Sequence, residues 1–542
     1  MEQNWYYSPV AVRFLSKKEN YATSGIHLVL VNTREQASSA VDIVADFILT
    51  VSCIPEIDQY RLLVNSNCEN EDVLWYPARY SQEFRLAGNS HLVHQLTFFK
   101  ENGFTFIPHD VLNSSNFDNL TVLKIELTRN GKESRNFVNL NRYRPFAVEN
   151  RAPATGQPIS ITSFPFNFTN SLLFSHFLST GTISYKLPEN VGYLTDIKYL
   201  ENMLGAVVTQ LNDSSNSLGL VVGNLKKING DGDLTMILPW HVIWTVIKKQ
   251  ENEANKSTTK LPTFVQFDNN KLSTNQWVKT FHKRQCNSVF PIYISSDSNS
   301  SWGTCIYYNE DTIITNFHVL KPFIDREDTN VKCDIYLTPT EVLSLTHDDL
   351  IYTPFHGIDL SFVKLSDTNL QQLNRLKSTF EPVSPSKGYK VGDMVKSRSF
   401  GLFFNSKHTR ALESKGVINC KLKISVHANE GSEIVDSILI TSSSCWNGSS
   451  GGALFMDDTN EFVGIICSNA QVKVPKLKDI DSAQNVEKLS RFSFILPAEL
   501  IAYSYDYVMK MTRDTEHLNS KISDAWQLKT YHNDVVVESS KL

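Results

Sequence analysis

The 542 residues contain no uncharged apolar run of about 18 residues, the length a membrane-crossing helix needs, so no spanning helix is expected. The first residues, Met1-Glu2-Gln3-Asn4-Trp5-Tyr6-Tyr7, show no basic stretch followed by an apolar core. Neither a secretory signal nor an Arg-rich transit peptide is read there. An excess of one charge is missing too. Lys and Arg number 52 against 57 Asp and Glu, a net charge of −5. That balance argues against a general nucleic-acid or membrane-surface binder. Cysteine is sparse: Cys53, Cys68, Cys286, Cys305, Cys333, Cys420, Cys445 and Cys467 lie far apart, with no CxxC pair and no metal-ligand spacing. Buried reduced thiols fit this scatter better than a disulfide frame. No metal and no cofactor are expected.

What is present is a succession of short β-rich runs broken by Gly, Pro, Asn and Ser, such as 26–31, 47–51, 120–127, 312–315, 360–365 and 462–467. Many short strands with few helical stretches predict a mainly β protein of barrels or sandwiches. Helical periodicity appears at 239–247 and 497–511. Lys248 to Lys260 has almost no apolar residues and cannot pack a core, so a linker is read over 248–284.

The two flanking halves echo each other. Thr315 is matched by Thr50, Asp359-Leu360 by Asn119-Leu120, Ser399-Phe400 by Ser163-Phe164, Ser450 by Leu204, and Ile495-Leu496-Pro497 by Ile237-Leu238-Pro239. The order never changes, which predicts two copies of one fold.

The chemistry concentrates in the second copy. Gly448-Ser449-Ser450-Gly451-Gly452 has the glycines that let a chain turn tightly and a substrate approach closely. In such a turn Ser450 exposes its hydroxyl, and the N–H groups of Gly448 and Ser450 can form an oxyanion hole. Alone, the motif also fits a loop tip. Upstream, His318 follows an apolar strand in Thr315-Asn316-Phe317-His318-Val319, and Asp359 opens the next strong strand. Singly, these fit a core histidine and a strand-end aspartate. Jointly they give the chain order His, Asp, Ser, which belongs to the chymotrypsin-type double barrel. His318 would move the Ser450 proton, and Asp359 would stabilise the imidazolium.

These segments resemble the trypsin-like serine proteases, and most of all the HtrA/Deg branch with its T-N-x-H-V, D-[IL]-A-x-[IVL]-K and G-N-S-G-G-[AP]-L signatures. Ser361 and Ser449 depart from the usual alanine and asparagine. Ser449 also replaces the aspartate that secreted trypsins pair with a newly cut N-terminus, so activation by that ion pair is not expected. The resemblance implies two tandem trypsin-like double β-barrel modules, each ending in a short helix: a degenerate copy over 1–247 and a catalytic domain over 285–511. In the first copy Cys53, Asn119 and Leu204 stand in for the triad, and the turn Asn202-Met203-Leu204-Gly205-Ala206 has lost its glycine pattern. The resemblance also places Ser444, six residues before the nucleophile, at the base of the substrate pocket, with Ile466, Cys467 and Ser468 on its wall. Ser444 is neutral and small, so burying a Lys or Arg there unpaired costs on the order of several kcal/mol. A small apolar or cysteine side chain is the expected fit.

Residues 512–542 read as a polar, mobile tail. It ends in Ser540-Lys541-Leu542, an address read by the peroxisomal import receptor. With a duplicated protease-like half, this makes the chain resemble the peroxisomal leader peptide-processing proteases, the glyoxysomal processing proteases of plants. That family resemblance implies a matrix enzyme that trims leaders from imported proteins and processes others, its own chain included. Its partners would be matrix protein substrates, with self-association left open and neither nucleic acid nor membrane insertion. Two alternatives stand beside it: a catalytically inactive docking protein with the same fold, and an HtrA-type quality-control protease.

Overall fold

The computed structural model describes residues 2–107, 120–128, 142–254, 288–473 and 486–510, apart from short interruptions, together with Ile522 and Trp526. Residues 255–284 of the linker expected over 248–284, Asn119 and the terminal tripeptide lie outside the described residues. The chain divides into two compact units, Met1–Val278 and Lys279–Leu542. No helix among the described residues is long and apolar enough to cross a membrane.

The protein is mainly β. In the first unit, Glu2–Leu15, Asn20–Thr33, Asp42–Ser52, Thr121–Leu127, Tyr76–Arg85 and Arg61–Asn65 follow one another round a ring. The last pairs back onto the first, so this six-stranded barrel closes. A second ring runs Asp213–Lys227, Val207–Gln210, Pro158–Ser163, Phe177–Lys186, Tyr193–Thr195 and Gly232–Pro239, and it also closes. The long strands also pair beyond their rings, Glu2–Leu15 with Arg144–Pro145, and Asp213–Lys227 with Phe104–Ile107 and Ala147–Val148. Alternation sets which side chains fill the barrels, as in Arg61–Asn65, where Leu62 and Val64 are buried beside exposed Arg61.

In the second unit the first sheet has seven strands in the order Val342–Ser344, Lys332–Tyr336, Val289–Ser295, Ser300–Asn309, Thr312–Thr315, Ser361–Lys364 and Leu350–Tyr352. It rolls round one core that includes Ile292, Cys305, Ile313, Leu343 and Val363. The second sheet is a closed barrel of Met394–Ser399, Leu412–Ala428, Gly431–Thr441, Val486–Pro497, Phe462–Lys473 and Ala453–Met456. Six cysteines are free among the described residues, and only Cys420 of them is exposed.

Two expectations need correction. The helix read to end at residue 247 runs from Trp240 to Glu253, into the stretch assigned to the linker. Its last turn is held by Gln250, whose side chain bonds both the N–H and the carbonyl of Arg85. Lys, Gln and Glu are good helix formers, so a polar stretch continues a helix once one side chain is anchored. The segment beyond the final helix, Ala498–Lys510, is not a wholly free tail either. Ile522 is completely buried in a core cluster of the second unit, and Trp526 packs against it. Two apolar residues four apart are too few to stand out as a period. Ile522→Ala should lower the stability of the second unit by about 2–4 kcal/mol, the cost of emptying a buried Ile site. Chemical denaturation resolved for the two units would register it; an unchanged transition would mean that the segment is not anchored there.

Candidate active site

Strand pairing brings the first two candidate residues together. Thr312–Thr315 runs antiparallel to Ser361–Lys364, with Thr315 opposite Ser361. The chain leaving the first strand and the chain entering the second therefore lie side by side. His318 sits in the first turn of the helix Phe317–Ile324, and Asp359 precedes its strand by two residues. His318 Nδ1 and Asp359 Oδ2 are 2.5 Å apart, and the His318 backbone N–H donates to Asp359 Oδ1 at 2.9 Å. A carboxylate so placed fixes the tautomer with Nδ1–H toward Asp359, leaving Nε2 free to take a proton. The imidazole is about half exposed, at 51%.

Ser450 arrives on a turn that only glycine allows at its flanks. Gly448 and Gly451 have φ of 85° and 84°. A Cβ on Gly451 would lie 1.8 Å from the Thr304 carbonyl oxygen, and one on Gly448 would lie 2.2 Å from Trp302 Nε1. The turn is braced by Ser449, which is buried. Its hydroxyl accepts from the Trp446 N–H at 3.0 Å and from Ser399 Oγ at 2.8 Å. Ser450 Oγ donates to the Cys467 carbonyl at 3.4 Å.

His318, Asp359, Gly448 and Ser450 all line one cleft of about 440 Å³, with Ile466, Cys467 and Ser468 on its wall. Ser444 does not line it. That residue is buried, its N–H donating to Ser414 Oγ and its carbonyl accepting from Ser397 Oγ. Cys445 and Asn469 do line it, joined by an Asn469 Nδ2 bond to the Cys445 carbonyl at 2.7 Å. These two residues, together with Trp302 and Asn316, are site residues that sequence reasoning missed. Asn316 alone carried a signal, its place in the Thr-Asn-x-His-Val motif.

The first unit keeps the same turn without the same groups. Thr304 N–H donates to the Ser450 carbonyl at 2.8 Å, and Ser24 N–H donates to the Leu204 carbonyl at 2.8 Å. Thr315 Oγ1 bonds the Thr304 carbonyl at 2.7 Å, and Thr50 Oγ1 bonds the Ser24 carbonyl at 2.6 Å. Phe400 N–H reaches Thr304 Oγ1 at 2.9 Å, and Phe164 N–H reaches Ser24 Oγ at 2.9 Å. The lost glycine pattern is therefore not a lost turn. Asn202 takes the left-handed conformation of Gly448, with φ of 67°, and Gly205 that of Gly451, with φ of 74°. Asn enters that region more readily than other non-glycine residues.

What has gone is the chemistry. Leu204 is buried. Cys53 is also buried, which pushes its thiol up to about 11. The Tyr199 phenol is raised by burial and, less, by Cys53 and Glu201, while the Leu204 N–H acts on it in the opposite sense. That N–H is the counterpart of one oxyanion donor.

Residues 303–465 match the family described as trypsin-like peptidase domain. Among solved structures, the chain is similar to an HtrA-type protease, an AlgW variant with a tripeptide, at 16% identity and a TM-score of 0.28. That match covers 42% of this chain and 61% of the other, so the chain spans less than two thirds of that protein. It is also similar to a serine endoprotease from Yersinia pestis, at 17% identity and a TM-score of 0.27, over 42% of this chain and 64% of that one. A third is Deg5, at 15% identity and a TM-score of 0.27, over 44% and 95%. No curated protein matches the sequence. The family match lies wholly within the second unit. The domain match supports a serine protease function.

Burial, with a lesser contribution from the nearby Asp359, raises the Cys467 thiol well above its ordinary range. It stays protonated at and above neutral pH, and a protonated thiol is a poor nucleophile. Iodoacetamide at pH 8 should therefore modify exposed Cys420 in the native protein and reach Cys467 only after denaturant is added. Peptide mass mapping reads the order, and equal native labelling of both would contradict it.

Proposed function

We propose that the chain is a serine endopeptidase of the peroxisomal matrix that removes N-terminal leader peptides from imported proteins and processes others, its own chain included. The observation that carries the peptidase part is the bonded His318–Asp359 pair sharing one cleft with Ser450. In this reading Ser450 Oγ attacks the scissile carbonyl. His318 Nε2 accepts its proton and delivers it to the leaving amine, while Asp359 stays ionised and stabilises the imidazolium. The N–H groups of Gly448 and Ser450 receive the oxyanion. At rest the Ser450 hydroxyl is given to the Cys467 carbonyl. Catalytic hydrogen bonds often tighten only when substrate arrives. The uncharged wall of Cys445, Ser468 and Asn469 favours a small, uncharged side chain before the cut.

The peroxisomal part rests on Ser540-Lys541-Leu542, which an import receptor would read, with matrix proteins as substrates. The degenerate first unit serves as a scaffold or docking module, since it keeps barrels and turn but no nucleophile.

A fluorophosphonate probe should label Ser450 in the parent chain. Ser450→Ala should lose on the order of a million-fold in kcat, and His318→Ala a comparable amount. Peptide hydrolysis by Ser450→Ala within tenfold of the parent removes Ser450 from its role. Deleting residues 540–542 should leave hydrolysis intact and move the protein to the cytosol, as seen by microscopy. Import of the truncated chain into peroxisomes, without a full-length partner, would dispose of the tripeptide as its signal. The N-termini of matrix proteins from cells with and without the chain then identify the leaders it removes.

A further inference from the structure

Asn316 does not do what its place in the chain suggests. It is the N-cap of the helix Phe317–Ile324, where an Asn ordinarily turns its side-chain oxygen onto a backbone N–H of the first turn. It makes no such bond. Asn316 is completely buried. Its Nδ2 donates to the Asp359 carbonyl oxygen at 2.7 Å and lies 3.3 Å from Cys467 Sγ.

The donor that Asn316 leaves untouched belongs to His318, the second residue of the helix. That N–H goes to Asp359 Oδ1 at 2.9 Å. The two residues have exchanged parts. The carboxylate caps the helix, and the cap residue holds the backbone of the carboxylate. The exchange suits the charge, because a helix N-terminus favours an anion. It also leaves Asn316 Oδ1 with no partner among the described residues, an unfavourable state for a buried acceptor. A residue serving only as a cap would have used that oxygen. The same amide nitrogen also touches Cys467, whose carbonyl takes the Ser450 hydroxyl. One side chain therefore meets the segments that bear His318, Asp359 and the acceptor of Ser450.

We infer that Asn316 is a positioning residue for the reaction at Ser450; the inference rests on the serine-peptidase reading. Its amide fixes Asp359 from the backbone side, so that the carboxylate meets the backbone N–H and the Nδ1 of His318 in one orientation. Without it the imidazole loses its alignment, although nothing that touches substrate has changed.

The test separates positioning from capping. Ser and Asp are as good as Asn at an N-cap. Serine is too short to reach the Asp359 carbonyl, and aspartate keeps the volume but has no N–H to donate. Asn316→Ser and Asn316→Asp are made in the full-length chain. Each is assayed for kcat and KM on a peptide the parent cleaves, and for its rate of fluorophosphonate labelling at Ser450. The expected result for the folded variants is a loss of kcat of about 10- to 100-fold, the scale of a misplacement near 1 Å. KM should stay within twofold. The downfield proton NMR signal of the His318–Asp359 bond should weaken alongside. A kcat within threefold of the parent in either variant makes Asn316 a cap only and overturns the proposal, as does a change confined to KM. A parent chain that neither cleaves peptide nor takes the label defeats the peptidase reading and the proposal with it.

Discussion

Thr304 is the joint on which the site depends. Its N–H holds the Ser450 carbonyl, its carbonyl is pressed against Gly451 and accepts from Thr315, and its hydroxyl links the Gly448 carbonyl to the Phe400 N–H. Four segments meet at one residue. Thr304 and Thr315 belong to the first sheet of the second unit, while the Ser450 turn and Phe400 belong to its barrel. A polar backbone buried between sheet and barrel must find partners, and here the partners are each other. The turn bearing Ser450 is therefore fixed by the same bonds that hold sheet to barrel. The cleft lies where the two meet, so its geometry is a property of the packing and not of one loop.

The repetition of that joint at Ser24 gives the first unit its meaning. The bonds that Thr304 makes to the Ser450 turn, Thr315 and Phe400 recur there at Ser24. Leu204 stands at the place of Ser450 in the matching turn, and both it and Cys53 are buried. Fold and chemistry are separable, because the first is carried by backbone bonds and apolar side chains and the second by a few tips of side chains.

That separation also explains what was legible in the sequence. Strands such as 312–315 and 462–467 declare themselves through apolar runs, and the order of matched segments betrays the duplication. His318, Asp359 and Ser450 stand out because their neighbours are so specific: a Thr-Asn before the histidine and four glycines or serines round the nucleophile. Side-chain direction was not legible. Ser444 has the right offset for a pocket base, yet it is buried with its backbone N–H and carbonyl bonded to Ser414 and Ser397, and Cys445 and Asn469 line the cleft. Asn316 has the composition of an ordinary cap, and only its neighbours in space show that it bonds across to Asp359. Asn202 hid a retained turn, since a missing glycine looks like missing geometry until φ is known.

One consequence concerns how such a protein tolerates change. A Cβ on Gly205 would meet the Ser24 carbonyl oxygen at 2.3 Å, much as one on Gly451 would meet that of Thr304. Both glycines also have φ near 80°, and neither has freedom to vary. Leu204, one residue away, has only to be apolar and to fit. Along the first unit, intolerance to substitution would thus peak at Gly205 and fall at Leu204, the position that matches Ser450. Read without the structure, such a profile would point to catalysis at Gly205, where what it registers is the close approach of the Ser24 carbonyl.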